Sequence, residues 1–185
     1  MTNKSMMIEL TQGQVTQVSP EDYGFLSDFK WCAQRRTNSH APVSYYAVRS
    51  AGVNLQRMHR VILARMLGRE LVATEQVDHI DRDPLNNCRE NLRLATNSEN
   101  QHNQLKHKDN ASGFKGVSFY KRGRKWRAVI TVNYKKIHLG YFDTPEAAAA
   151  AYDTAAQSLH GTFACVNDAE LTAAALKQMV MEGLK

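Results

Sequence analysis

An aspartate and a histidine stand side by side at Asp78-His79, and asparagines follow at positions 91 and 100. All four lie within the stretch VDHIDRDPLNNCRENLRLATNSENQHN, residues 77–103. Acid, imidazole and amide are the side chains of a small hydrolytic site that uses a hard metal ion. An imidazole with a pKa near neutrality can take a proton from water, which makes His79 the candidate general base. A carboxylate from Asp78 and an amide oxygen from Asn100 form a sparse oxygen-ligand set. Mg2+ tolerates such a set because it keeps waters and takes substrate phosphates as its remaining ligands. Asn91 is placed to brace the loop and to hydrogen-bond the base or a nearby carbonyl. Neighbouring side chains on a strand point to opposite faces, so Asp78 and His79 can serve one phosphate only if the strand ends there. The run Asp81-Arg82-Asp83-Pro84 supplies that break. From pattern alone, a polar Asn-rich loop with a capped helix remains the alternative.

The same residues closely resemble the HNH nuclease motif of phage-type homing endonucleases. The resemblance is carried by Val77-Asp78-His79-Ile80-Asp81, Asn86-Asn87, Arg89-Glu90-Asn91-Leu92-Arg93 and Thr96-Asn97-Ser98-Glu99-Asn100. Upstream, Lys30-Trp31, Tyr45-Tyr46-Ala47 and Met58-His59-Arg60 are similar to the leader usual in that family. The resemblance implies a ββα-metal fold, with two antiparallel strands and a helix around one divalent ion. It implies His79 as general base, Asp78 and Asn100 as metal ligands, and Asn91 as the middle Asn that orders the loop. Asn in place of the final His makes zinc less suitable than Mg2+, with Mn2+ as a second candidate. His102 is a rival for the last ligand, but two residues beyond Asn100 it faces elsewhere on a regular helix.

Several elements must position this segment. Residues 6–18 hold two extended candidates, MMIEL and QVTQV, with a turn at Gln12-Gly13. Ser19-Pro20-Glu21-Asp22 reads as a helix start, with Ser19 as N-cap and Tyr23, Leu26 and Phe29 on the apolar side. Strands are expected at 30–33, 45–48 and 55–58, with a polar loop at 35–44 and a helix at 59–67 stopped by Gly68. Arg57 and Arg60 form a candidate phosphate clamp, with a solvated surface pair as the alternative. His59 reads either as a structural histidine or as a contributor at the site. Thr96 or Ser98 can cap the helix that carries Glu99, Asn100 and Asn103.

The polar stretch 104–112 reads as an exposed linker. Beyond it the pattern changes to three short strands, at 116–120, 125–133 and 136–139. Thr144-Pro145-Glu146 then opens a helix that ends at Gly161, with Ala147, Ala151, Tyr152 and Ala155 available to pack on the sheet. A second helical pattern covers 168–184. Between Lys115 and His138 there are eight Lys or Arg residues and no acid. Strand alternation puts Trp126, Ala128, Ile130 and Val132 on one face and Arg127, Val129, Thr131 and Asn133 on the other. A solvated basic sheet is the plain alternative to a DNA-facing one. This stretch resembles the AP2 DNA-binding domain, through Lys115-Gly116-Val117, Lys125-Trp126-Arg127-Ala128, Leu139-Gly140-Tyr141-Phe142-Asp143-Thr144, Ala151-Tyr152-Asp153 and Gly161-Thr162-Phe163-Ala164. By position in that family, Lys115, Ser118, Tyr120, Arg122, Arg127, Val129, Thr131, Lys136 and His138 fall where DNA is contacted. Plant members carry Glu and Arg at the positions of Val129 and Thr131, and Trp at that of His138, so their target preference does not transfer.

Composition agrees with a polyanionic partner. The formal charge is +6, and it is segregated. Residues 1–75 hold nine basic and six acidic side chains, residues 76–110 hold five and six, and residues 111–185 hold ten and six. A carboxylate-bearing centre between two basic flanks suits a metal site beside phosphate-binding surfaces. The three cysteines, Cys32, Cys88 and Cys165, are widely spaced and form no CxxC pair, which argues against a thiolate zinc site or a disulfide scaffold. No signal peptide or membrane span is indicated, so the expected compartment is the cytoplasm, that of a bacterial host for a phage gene.

The expectation is an α+β chain in two parts. Residues 1–108 form an α+β module with the HNH motif, and residues 109–185 form an AP2-like sheet packed on one helix. The expected function is metal-dependent, site-specific hydrolysis of double-stranded DNA. It would proceed by nicking or sequential cuts, as a monomer, with no small-molecule cofactor. The alternative is a non-catalytic, sequence-specific transcriptional regulator. Joint retention of Asp78, His79, Asn91 and Asn100 separates the two, because a regulator has no need of it.

Overall fold

The structure is a computed structural model that describes residues 5–36, 43–107 and 109–167. The helix expected at 168–184 and part of the loop at 35–44 lie outside the described residues. The chain divides into two compact units, Met1–Asn100 and Gln101–Lys185, so residues 101–108 group with the second.

The first unit opens with an antiparallel hairpin, β1 (Met6–Glu9) and β2 (Val15–Val18). Its turn uses positive φ at both Gln12 and Gly13. Helix α1 (Pro20–Ser27) follows at the expected proline. Ser19 stands at the N-cap, but its hydroxyl accepts from the Arg89 N–H at 2.8 Å instead of capping its own helix. Strands β3 (Cys32–Arg35), β4 (Tyr45–Ala51) and β5 (Asn54–Arg57) form an antiparallel meander. Trp31, expected within the strand, instead precedes it and fills the core, with its indole N–H on the Leu26 carbonyl at 2.9 Å. Helix α2 (Met58–Leu67) ends at Gly68, whose φ of 65° closes the last turn. Then come β6 (Gln76–His79), the two-residue strand β7 (Asn86–Asn87), a 3-10 turn at Arg89–Asn91, β8 (Leu92–Ala95) and α3 (Asn97–His102).

Val18, Leu26, Met58 and Ile62 are fully buried, and Trp31 nearly so. Each such side chain contributes roughly 1.5–3 kcal/mol by burial. This core lies under β6 and β8 through Val77 and Leu92. Phe29, expected on the apolar side of α1, is instead exposed and carries the Arg49 guanidinium over its ring at 3.5 Å.

In the second unit β9 (Val117–Tyr120), β10 (Lys125–Val132) and β11 (Lys135–Phe142) form an antiparallel sheet with β10 central. The β10–β11 turn is tighter than expected. Asn133 and Tyr134 both adopt positive φ, and Lys135 already pairs with Val132. Helix α4 (Pro145–His160) is capped by Thr144, whose hydroxyl accepts from the Ala147 N–H at 3.2 Å. Its buried residues are Ala148, Ala149, Ala150, Tyr152, Asp153, Ala156 and His160. The packing face is centred on these and not on the expected Ala147 and Ala151, which are half-buried, while the expected Tyr152 and Ala155 both pack against the sheet core. Small side chains let the helix approach the sheet closely. At Gly116 (φ +77°) a Cβ would lie 2.0 Å from the Tyr152 ring.

Candidate active site and nucleic-acid interface

Strands β6 and β8 pair antiparallel, with Asp78 opposite Arg93 and His79 opposite Leu92. Helix α3 follows β8 directly and starts with a reciprocal cap. The Thr96 hydroxyl accepts from the Glu99 N–H, and the Glu99 carboxylate accepts from the Thr96 N–H at 2.7 Å. Two strands and a helix therefore frame the Asp-His pair.

Adjacent on a strand, Asp78 and His79 leave on opposite faces. Asp78 is nearly buried and takes both Nε (2.7 Å) and Nη2 (2.6 Å) of Arg93 on its Oδ2. Gln76 shares the Asp78 face by strand alternation, and Asn100 of α3 donates to the Gln76 Oε1 at 2.9 Å. Asp78 and Asn100 thus border one face of β6. Among the described residues no group of three or more His, Cys, Asp and Glu could hold a metal ion. The two-oxygen pair fits a hard divalent cation that keeps most of its waters, and it does not supply the four ligands of a structural zinc.

His79 faces the other way and is 7% exposed. Its Nε2 lies 3.3 Å from the Asn87 Oδ1. The His59 ring meets it edge to face, and Tyr46 packs on His59. Burial holds the His79 imidazole below its usual pKa, against the opposing pull of the Asn87 hydrogen bond and the Asp81, Asp78 and Asp83 carboxylates. Immediately after His79 the strand stops. The Arg82 N–H closes a turn on the His79 carbonyl at 2.9 Å, with Arg82 itself at φ 70°.

The loop between β6 and β8 is a polar net centred on Asn91 and Asp81. The Asn91 Oδ1 accepts from the Asp81 N–H at 2.9 Å, and its Nδ2 donates to the Asp81 Oδ1 and the Asn86 carbonyl, both at 2.8 Å. Asn91 therefore ties the loop through Asp81 and the Asn86 carbonyl. Within the loop β7 pairs in parallel with β2, Asn87 opposite Val18. The amino-terminal hairpin thereby becomes a floor for the site. A second tie runs from α1, where the buried Asp22 carboxylate holds Arg89 (2.6 and 2.8 Å) and Arg65 (3.0 Å). Thr16, Asp22, Asn87 and Arg93 had no role assigned from sequence. Thr16 and Asp22 are remote in the chain, and only the β2–β7 pairing and the α1 packing bring them near.

The cationic residues divide. Arg57 is exposed, at the start of α2, 6.0 Å from the Tyr46 ring centroid. Arg60 is spent on structure: its guanidinium donates to the Glu75 (2.8 Å), Leu71 and Val72 carbonyls. A groove of about 620 Å³ beside α2 is lined by Arg49, Arg57, Arg60, Arg65 and Arg69, with Glu70 as its acid.

In the second unit, cross-strand partners share a face. Arg127 stands opposite Ser118 and Tyr141, Val129 opposite His138, and Thr131 opposite Lys136. A bulge between Ala128 and Val129 keeps His138 on this face. The other face buries Ala128 and Ile130 under α4. Ser118, Tyr120, Arg127, Val129, Thr131, Lys136 and His138 therefore form one outward surface, with Arg122 in the exposed turn beside it. Lys115 does not join them, since its ammonium donates to the His102 and Gln104 carbonyls.

A ββα frame carrying an Asp-His pair and a distal Asn, followed by a three-stranded sheet on one long helix, defines a nuclease joined to a DNA-binding module. The HNH endonuclease family model matches residues 56–102, and the AP2 domain model matches residues 112–162. The chain is 31% identical over 156 residues to the uncharacterized HNH endonuclease L560 of Acanthamoeba polyphaga mimivirus, covering 84% of this chain and 76% of that one. It is 42% identical over 88 residues to protein 3.8 of Escherichia phage T7, covering 48% of this chain and 72% of that one. Over 57 residues it is 44% identical to the AP2-like ethylene-responsive transcription factor TOE2 of Arabidopsis thaliana, which spans 31% of this chain and 12% of that protein. No solved structure matches the chain. The chain belongs to the HNH endonuclease family, with an AP2 domain after its nuclease unit. Its activity is that of a nuclease, and the family uses a single divalent metal ion. Among the described residues no helix is long and apolar enough to cross a membrane.

Proposed function

We propose that this protein hydrolyses phosphodiester bonds of double-stranded DNA at a preferred site, as a monomer in the cytoplasm, one strand per engagement. His79 takes the proton of the attacking water. Asp78 and Asn100 hold one divalent cation, Mg2+ in preference to Mn2+. When bound there, that cation supplies charge neutralisation for the phosphate and the departing 3′ oxygen. Asn91 keeps the loop in shape, and Arg57 meets a phosphate at the edge of the arginine-lined groove. The outward surface of the β9–β11 sheet reads DNA through Ser118, Tyr120, Arg127, Val129, Thr131, Lys136 and His138, with Arg122 on the backbone.

One observation carries this proposal. Asp78 and Asn100 border one face of β6 while His79 closes the other face at the strand's last residue, where the chain turns away. A phosphate at that end reaches both faces. A purely DNA-binding regulator has no use for a buried imidazole beside an acid and an amide at a strand terminus.

The test is cleavage of native-context double-stranded DNA in Mg2+ by the wild-type chain and by His79→Ala. Nicked product from the wild type and none from the variant is the expected result. Equal cleavage by both would remove His79 from its role, and no cleavage on any such DNA would defeat the nuclease function.

A further inference from the structure

The orientation of the Asn87 amide is settled by donor and acceptor bookkeeping. The Thr16 hydroxyl has one proton, and it donates that proton to the Leu85 carbonyl at 2.7 Å. What Thr16 presents to Asn87 is therefore a lone pair, 2.7 Å from the Asn87 Nδ2. The Pro84 carbonyl, an acceptor only, lies 3.3 Å from the same nitrogen. The amide nitrogen must face these two acceptors, which leaves Oδ1 facing the His79 Nε2. An amide oxygen only accepts, so Nε2 must carry the proton.

The opposite tautomer fails on the same count. With a lone pair on Nε2 the amide must flip, which sets its oxygen against the Pro84 carbonyl and takes the Thr16 proton from Leu85. Thr16 and Asn87 are both fully buried, so water cannot repair the mismatch.

The geometry points to a positioning relay, Thr16 to Asn87 to His79, that locks His79 as the Nε2–H tautomer and makes Nδ1 the nitrogen that accepts the proton from water. This deepens the proposed function and rests on His79 being the base. Asn87 and Thr16 are positioning residues, since they act through His79 and not on the substrate. The hairpin β1–β2 acquires a chemical task, because β2 delivers Thr16 to the loop.

The decisive measurement is the long-range 1H–15N spectrum of the full chain labelled on its seven histidines. It is recorded at about pH 8, where an imidazole is neutral, and His79 is assigned by the resonance lost in His79→Gln. A protonated Nε2 and an unprotonated Nδ1 are expected. Thr16→Val keeps the shape, removes the lone pair and should mix the tautomers. With it, kcat should fall roughly ten- to hundredfold at little change in KM, and Thr16→Ser should restore both. An Nδ1–H tautomer in the wild type overturns the relay, as does a Thr16→Val protein whose tautomer is unchanged. The wild-type tautomer is read with only the assignment variant His79→Gln folded and with no cleavage occurring. A chain that cuts nothing yet shows the Nε2–H form would lose the nuclease function and keep the relay.

Discussion

The rings of His59 and His79 meet edge to face, centroids 5.1 Å apart and planes at 87°. His59 is 7% exposed, and Tyr46 packs on it at 5.3 Å while standing 6.5 Å from the His79 ring. Burial pushes the His59 imidazole well below its usual pKa, and the neighbouring His79, Arg57 and Arg60 push the same way. The pair is therefore neutral at neutral pH, which leaves His79 able to accept a proton.

The first prediction concerns acid stability. A histidine that the fold keeps neutral binds fewer protons folded than unfolded. Its contribution is complete above the unfolded value of 6.5 and is lost as pH falls toward the lowered folded value. Each such histidine steepens the stability curve by at most about 1.4 kcal/mol per pH unit. Thermal melts of wild type and His59→Phe below about pH 6.5 should show a shallower decline in the variant. Identical slopes would refute the neutral pair.

Asp22 works with the opposite charge. Burial alone would raise its carboxyl, but hydrogen bonds and charge from Arg89 and Arg65 outweigh that and hold it below 3.8. Its stabilising contribution is present above 3.8 and fades as pH falls through the lowered value. Asp22→Asn should cost about 2 kcal/mol at neutral pH, read by urea denaturation. It should also slow cleavage, because Arg89 opens the turn that carries Asn91. Unchanged stability would mean that the two arginines find other partners.

Gly116→Ala tests the second unit. The substitution meets a positive φ and the Tyr152 ring together, and should cost about 2–4 kcal/mol. Binding of DNA by the sheet should weaken, measured by fluorescence anisotropy on the full chain. A fully stable variant would show that the Gly116–Tyr152 approach is loose.

Arg57 and Arg60 should separate cleanly despite their spacing. Arg57→Ala should lower the salt slope of DNA binding by about 0.9, the value of one phosphate contact. Arg60→Ala should leave that slope alone and lower the melting temperature, because its guanidinium ties down the carbonyls of residues 71, 72 and 75. The reverse pattern would exchange their roles.

Much of the frame was legible in the sequence because local chemistry dictates it. Pro20 marks the start of α1, Gly68 the end of α2, the Thr96–Glu99 pair the start of α3, and alternation in 126–131 the buried and outward faces of β10. What escaped was set by tertiary partners. Ser19 has the residue type of a helix cap, yet the Arg89 amide claims its hydroxyl from 70 positions away. Trp31 has strand propensity, but its bulk is used in the core. Lys115 matches a DNA-contact position, and nothing in its neighbours announces the carbonyls of His102 and Gln104. The Thr16–Asn87 bond spans 71 positions, and no periodicity or motif connects residues so far apart.

The parallel pairing of β2 with β7 sets the size of the piece that can be moved. The stretch matched by the nuclease family model begins at residue 56 and leaves out β1 and β2. Grafted alone into another chain, it would carry its acid, imidazole and amides but no Thr16 under Asn87 and no Asp22 beneath Arg89. The transplantable cassette therefore begins at the hairpin, and chimeras joined just beyond Asp22 would inherit the ligands without the floor that aims them.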